Sequence, residues 1–302
     1  MEDIDNITLN FNADNIFLLN ISLAIIMFGV ALKLTVEDFR LVLQQPKGVL
    51  AGILSQFLIL PALTFVLVWI MKPHPSFALG MFMVAACPGG NISNFFSANA
   101  KGNIALSVSL TAVSSVLAVF MTPINLTFWS SIYAPTADLL SSIYMDLWSV
   151  LQTIIIILGA PIIVGMFFRH RYEKAAKKLQ PIMHWLSILI FAAIVIMAFA
   201  ANIDLFLQYI YLVVLLVFLH NALALFSGYQ IGRLFGLPIA DRRSLSIETG
   251  IQNSGLGLVL IFSYFNGLGG MALVAAWWGI WHIISGMSLS YYWSMKSKKV
   301  IA

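Results

Sequence analysis

Two eight-residue segments of this 302-residue chain put unusual chemistry inside apolar sequence. The first is Cys87-Pro88-Gly89-Gly90-Asn91-Ile92-Ser93-Asn94, and the second is Glu248-Thr249-Gly250-Ile251-Gln252-Asn253-Ser254-Gly255. Proline removes a backbone donor and glycine weakens a helix, so a helix running through the first segment should open there. In the second, Glu248 is the one acidic residue of twelve that falls neither in a loop nor at the end of an apolar run. A carboxylate at that depth in a membrane costs roughly 2.5–3.5 kcal/mol on insertion scales unless water, a cation or a partner receives it. An opened helix also frees backbone N–H and C=O groups, which hydrocarbon tolerates only where they line a cavity or bind something. Carbonyl oxygens, hydroxyls and one carboxylate suit a hard cation such as Na⁺, whereas half-helix N-termini present N–H groups to an anion. No His pair, Cys cluster or HExxH helix accompanies Glu248, which argues against a transition-metal site.

The elements that must position these segments are membrane helices. Hydrophobic residues make up 61% of the chain and charged residues 9%, and no polar stretch is long enough for a separate soluble domain, so residues 1–302 read as one integral membrane unit. About 20 apolar residues cross the hydrocarbon core as helix. Runs of that kind give nine spans: Asn15–Leu34, Lys47–Ile70, Phe77–Ala100, Asn103–Trp129, Met145–Phe168, Pro181–Ala201, Phe206–Arg233, Arg243–Phe265 and Gly270–Trp293. All should be helical, since open sheet edges fail in lipid and no barrel-like alternation occurs. With the N-terminus outside, fifteen of the sixteen Lys and Arg residues face the cytoplasm and only Lys72 lies outside, which favours nine spans over eight or ten. The net charge of +4 then reflects basic loops beside anionic membrane lipid, with no nucleic-acid partner. Glu2, Asp3, Asp5 and Asp14 precede the first base, Lys33, so the N-terminal tail reads as a short exposed acidic segment without the positive start of a signal peptide. The single Cys87 rules out an internal disulfide and, lacking a neighbouring base, reads as a small apolar residue.

At one constant offset Gln56 falls opposite Asn221, Pro73 opposite Pro238, and Gly90 opposite Gly255. The spans holding the two segments start on opposite sides of the membrane, so the two halves would be inverted repeats. Broken helices at matching places in inverted repeats are the transporter pattern, with the binding site where the breaks meet. Plainer readings stand beside this one. A structural Glu248 would hydrogen-bond to Asn253 or Gln56, or carry a proton; Ser107 and Thr111, four apart and on one helix face, would bond their own backbone. His282, among Trp277, Trp278 and Trp281, would serve the core, and His220 beside Asn221 would be a helix-packing pair. An intramembrane enzyme would need a nucleophile, a metal set or a second acid beside Glu248, and a receptor would not need two helix breaks. Proton coupling is the alternative within transport, because a lone membrane carboxylate also carries protons.

The two segments resemble those of the bile acid:sodium symporter family, and the similarity extends over nearly the whole chain. Supporting matches are Ser55-Gln56-Phe57-Leu58-Ile59-Leu60-Pro61, Lys101-Gly102-Asn103-Ile104-Ala105-Leu106-Ser107 and Trp281-His282-Ile283-Ile284-Ser285-Gly286. The resemblance implies an all-α polytopic fold in which two broken helices cross within a core domain, roughly residues 47–129 and 206–296. A panel domain, roughly residues 15–40 and 145–201, would rock against it. Ten-helix bacterial members have an extra first helix, so nine spans look more like the animal bile-acid carriers, as does Asn91 directly after the two glycines. The resemblance further implies two sodium sites sharing Glu248. One would use Ser93, Asn94, Ser107, Thr111 and Glu248; the other would use Gln56, Glu248, Thr249, Ile251 and Gln252, with Thr249 and Ile251 acting by backbone carbonyl. Substrate contacts would include Asn91, Asn253 and His282. The expected function is a symporter, not an enzyme, that imports an organic anion such as a bile acid or a pantoate-like carboxylate with Na⁺. Its short tails and loops suit a bacterial inner membrane, with the C-terminus cytoplasmic.

Overall fold

The computed structural model describes residues 4–5, 15–34, 44–142, 147–200 and 203–299. Glu2, Asp3, Asp14 and Arg40, and the span boundaries at Met145 and Ala201, lie outside the described residues. The elements are helices: α1 (Asn15–Ala31), α2 (Pro46–Leu54), α3 (Leu60–Met71), α4 (Pro75–Ala86), α5 (Ser93–Asn99), α6 (Ile104–Ile132), α7 (Ala134–Ser142), α8 (Leu147–Arg171), α9 (Glu173–Ala200), α10 (Ile203–Leu234), α11 (Ile239–Gly250), α12 (Ser254–Tyr264) and α13 (Gly269–Lys299). Among the described residues there is no strand, and the one isolated bridge pairs Gly89 with Gln252 in antiparallel sense. Four helices are long and apolar enough to cross a membrane by length and composition: Pro46–Met71, Ile104–Ile132, Leu207–Leu234 and Gly269–Lys296.

Two local features depart from plain helix for physical reasons. Between α2 and α3 the chain widens into a π-helical turn, Ser55–Ile59, in which the Leu60 N–H reaches back to the Ser55 carbonyl. Pro61 follows at once, and its missing donor and bulky ring are what such a bulge accommodates. Gln56 therefore sits in the bulge. Helix α7 falls where no element was expected. Pro135 occupies its first turn, where proline's missing N–H costs nothing, and Thr136 Oγ1 donates to the Ser130 carbonyl at 2.6 Å and to the Tyr133 carbonyl at 2.9 Å.

The order of long helix, half-helix, break, half-helix, long helix occurs twice, first from α2 to α6 and again from α10 to α13. Helix α4 is buried from Ser76 to Ala86 and α12 from Leu256 to Phe262, with no polar face on either. Helices apolar all round belong in an interior, and these two sit in the main core with Val217 of α10 and Trp278 of α13. Smaller clusters fasten the rest. Val49, Leu106, Leu110 and Leu245 join α2, α6 and α11; Phe96, Ala100, Ile247 and Ile251 join α5 to α11. Leu32, Ala176 and Met183 tie the end of α1 to α9, with Phe168 of α8 against them.

Candidate functional site

The two breaks meet. Gly90 N–H donates to the Ile251 carbonyl at 2.7 Å, and Asn253 N–H donates to the Pro88 carbonyl at 2.8 Å, so the two opened strands run antiparallel across each other. Each break has a local cause. Cys87, preceding Pro88, is held extended at φ −70° and ψ 154°, as a residue before proline must be. Ile251 is extended at φ −109° and ψ 91°, and the next helix restarts because Asn253 caps it, its Oδ1 accepting from Leu256 N–H at 3.1 Å.

Glu248, in the last turn of α11, is 4% exposed. Its Oε2 accepts from Ser93 Oγ at 2.5 Å and Ser107 Oγ at 3.2 Å, and its Oε1 accepts from Thr111 Oγ1 at 2.7 Å. Thr111 Oγ1 also lies 3.4 Å from Asn94 Oδ1, and Ser107 Oγ lies 3.1 Å from Ser97 Oγ. Among the described residues no basic side chain forms an ion pair with Glu248. The expected first set, Ser93, Asn94, Ser107, Thr111 and Glu248, is thus brought together from α5, α6 and α11. The partners differ from the plain reading of Glu248, which placed it on Asn253 or Gln56.

The second set is also adjacent. Gln56 Nε2 donates to the Cys87 carbonyl and to Gln252 Oε1, both at 2.8 Å. Gln252 Nε2 donates to the Thr249 carbonyl at 2.6 Å and to Gln56 Oε1 at 3.2 Å. Gly52, Gln56, Leu110, Ser114, Glu248 and Thr249 line a small cavity beside them. A second cavity opens at the crossing toward α1 and α8, where Met27, Val30, Pro88, Ser115, Leu158 and Asn253 line it. Asn91 is half-buried in the turn after the glycines. His282 is 6% exposed with its Nδ1 unpartnered, and no hydrogen bond joins it to Asn91 or Asn253. It lies one turn before Gly286, which packs against Ile251 and Phe96.

Sequence reasoning missed Ser97, and it missed Ser55, whose Oγ lies 2.8 Å from Thr249 Oγ1. It also missed Thr122, whose Oγ1 donates to the Ala86 carbonyl at 2.7 Å. A signal existed for the last: Ser107, Thr111, Ser115 and Thr122 fall on one face of α6 at helical spacing.

A chain of apolar helices that is broken twice and closed around a buried, hydroxyl-bonded carboxylate is a multi-pass membrane protein with an internal polar site. Residues 20–209 match the Sodium Bile acid symporter family. An uncharacterized sodium-dependent transporter, YocS, of Bacillus subtilis strain 168 is 34% identical over 281 residues, which is 93% of this chain and 84% of the relative. The probable sodium/metabolite cotransporter BASS1, chloroplastic, of Arabidopsis thaliana is 34% identical over 280 residues, 92% of this chain and 67% of the relative. The human ileal sodium/bile acid cotransporter is 28% identical over 242 residues, covering 79% and 67%. The chain belongs to the sodium bile acid symporter family, a family of transporters and not of enzymes.

Proposed function

We propose that this protein is a sodium-coupled symporter that carries an organic anion into the cell by alternating access, the anion being a bile acid or a pantoate-like carboxylate. The observation that carries the reading is Glu248, a buried carboxylate held at a helix crossing by three hydroxyls and, among the described residues, by no basic side chain. A hydroxyl both donates and accepts, so Ser93, Ser107 and Thr111 can turn a lone pair to a cation when one takes the place of their protons. With Asn94 and Glu248 they would hold one Na⁺. Gln56, Thr249, Ile251 and Gln252 would hold a second, with Glu248 bridging the two ions. The Thr249 and Ile251 carbonyls already accept one hydrogen bond each, from Gln252 and Gly90, and each oxygen keeps a second lone pair.

The residues lining the cavity toward α1 and α8 carry no charge. Attraction for an anion must then come from bound Na⁺ and from the N–H groups that open helix ends present. Asn253 has its Oδ1 committed to capping α12, which leaves Nδ2 to donate to the anion; Asn91 would donate from the facing turn, and His282 would complete the contacts from α13. The proposed frame is nine spans, with residues 47–129 and 206–296 as the core and residues 15–40 and 145–201 as the panel. The N-terminus would lie outside and the C-terminus in the cytoplasm of a bacterial inner membrane. Uptake by proteoliposomes of a panel of bile acids, pantoate-like hydroxy acids and sulfated steroids tests the function. Accumulation should require an inward Na⁺ gradient, and accumulation driven by a pH gradient without Na⁺ would put a proton in its place.

A further inference from the structure

The last carbonyls of a helix have no partner within it, and a buried break must find them one. At the end of α11 the Thr249 carbonyl is held by Gln252 and the Ile251 carbonyl by Gly90. The Gly250 carbonyl, which lies between them in the chain, accepts from Asn221 Nδ2 at 2.7 Å. Asn221 belongs to α10 and is fully buried, and among the described residues its Oδ1 has no partner, so the side-chain hydrogen bond it makes there goes to Gly250. Asn221 matches Gln56 at the repeat offset, and Gln56 holds the Cys87 carbonyl at the first break in the same manner. The face of α10 that carries Asn221 also fixes where α11 ends. Ser246 Oγ donates to the Leu225 carbonyl at 2.6 Å, and a Cβ at Gly228 would lie 2.6 Å from the Leu245 carbonyl oxygen and 2.8 Å from Thr249 Oγ1.

We propose that Asn221 is a positioning residue for the cation site at the second break: by holding the Gly250 carbonyl it fixes the peptide planes that aim the Thr249 and Ile251 carbonyls. Without the donor, the buried Gly250 carbonyl must turn toward another partner. Turning the Gly250–Ile251 peptide plane changes ψ of Gly250, where glycine offers little resistance, and φ of Ile251; it weakens the Ile251 N–H bond to the Ile247 carbonyl and, through φ, re-aims the Ile251 carbonyl in the next peptide. Asn221 itself touches no ion. The inference rests on the sodium reading above.

The test is ²²Na⁺ binding to the purified full-length protein, together with its melting temperature in NaCl and in KCl. Wild type should bind Na⁺ saturably and melt higher in NaCl. Asn221→Leu keeps the branched outline but removes the donor, and it should bind Na⁺ roughly tenfold or more weakly, as loss of a residue that holds a ligand in place does at other ion sites. Its melting temperature in KCl should fall, because a buried acceptor loses its donor, and the rise in NaCl should shrink as well. Asn221→Ala should weaken Na⁺ binding in the same direction and stands in should the leucine variant not fold. Thr64→Val removes a partner of His220, one residue from Asn221 on α10, where Thr64 Oγ1 and His220 Nε2 are 2.7 Å apart. It should lower the melting temperature in KCl and leave Na⁺ affinity intact. Asn221 variants that bind Na⁺ as tightly as wild type, or a Thr64→Val that weakens Na⁺ equally, would overturn the proposal. A wild type with no saturable Na⁺ binding would remove the sodium reading itself and the inference with it.

Discussion

The first break, residues 87–92, contains Pro88, Gly89 and Gly90 and contributes room to the crossing; the second, residues 251–253, contains neither proline nor glycine and follows the residue that contributes charge. A Cβ on Gly89 would lie 2.5 Å from Glu248 Oε1 and 3.0 Å from its Cδ. The glycine is needed for that space and not for its dihedral freedom, since the positive-φ glycines among the described residues are Gly236 and Gly267. The second break opens without a helix breaker because side chains compete for its backbone: Gln252 takes the Thr249 carbonyl and Asn253 takes the Leu256 N–H. One helix is opened by what its residues lack, the other by what they hydrogen-bond. The result is a carboxylate delivered by one strand into a gap left by the other.

The comparison breaks first at Glu248. Glu248→Gln keeps the shape and removes the charge common to both proposed sodium sites, so Na⁺-coupled uptake in proteoliposomes should be abolished while the protein elutes as a folded species. Retention of normal Na⁺ dependence would show that the charge of the second strand is not what the first makes room for.

Next in size is the room itself. Gly89→Ala should crowd Glu248, and overpacking of a filled interior costs ~1–3 kcal/mol, about one to two orders of magnitude in Na⁺ affinity if the loss falls on the bound state. Gly90→Ala should be milder, because the three atoms nearest its Cβ are the Gln252 carbonyl oxygen at 3.2 Å, the carbonyl carbon at 3.4 Å and the Ile251 carbonyl oxygen at 3.5 Å, all at ordinary or slightly tight contact and none of them on the acid. Equal effects of the two alanines on ²²Na⁺ binding would mean that the glycines serve the backbone crossing and not the carboxylate.

Asn253→Ala sharpens the other side of the comparison. It removes a donor proposed for the anion, a hydrogen bond to a charged group worth ~1.5–3 kcal/mol, and it removes the cap of α12, typically ~1 kcal/mol of stability. Substrate affinity measured by calorimetry in saturating Na⁺ should therefore fall more than Na⁺ affinity measured without substrate. Asn253→Asp, which keeps the cap oxygen but opposes an anion, should lose substrate binding with less loss of melting temperature. An anion bound unchanged by both variants would move its site away from the crossing.

The parts of this arrangement legible in the sequence were those with local causes. Pro88 with its glycines, the lone acid of the second segment and the apolar runs each carry their signal within a few residues, and helix occupies each expected segment among the described residues. What was not legible depends on contact at a distance. Ser93 and Glu248 are separated by 155 positions and Ser55 and Thr249 by 194, and no periodicity in either neighbourhood names the other. The first pairing was suggested only by resemblance, and the second was not suggested at all. The cap on α4 is a similar case: His74 caps nothing with its own side chain, and Asp5, 71 positions away, accepts from Ser76 N–H at 2.7 Å instead. The acidic tail was read as exposed, yet Ile4 is buried in the main core beside this contact. A short polar tail gives no sign, in sequence, that it closes the end of a buried helix.

The smallest effect should come from Thr122, and it tests whether the two breaks are held for the same reason. Thr122 Oγ1 donates to the Ala86 carbonyl, as Asn221 does to that of Gly250, but Ala86 lies in the half-helix that contributes no proposed ligand carbonyl. Thr122→Val preserves the branched shape and leaves one buried acceptor without its donor, a penalty of ~1–3 kcal/mol. That cost should appear as a lower melting temperature in KCl and NaCl alike, with Na⁺ affinity changed by no more than about twofold, the scatter expected between sites with no shared partners. The contrast with Asn221→Leu is the informative quantity. If Thr122→Val weakened Na⁺ binding as much as Asn221→Leu, carbonyl anchoring would matter equally on both strands, and the division of the crossing into one strand that makes room and one that carries charge would not hold.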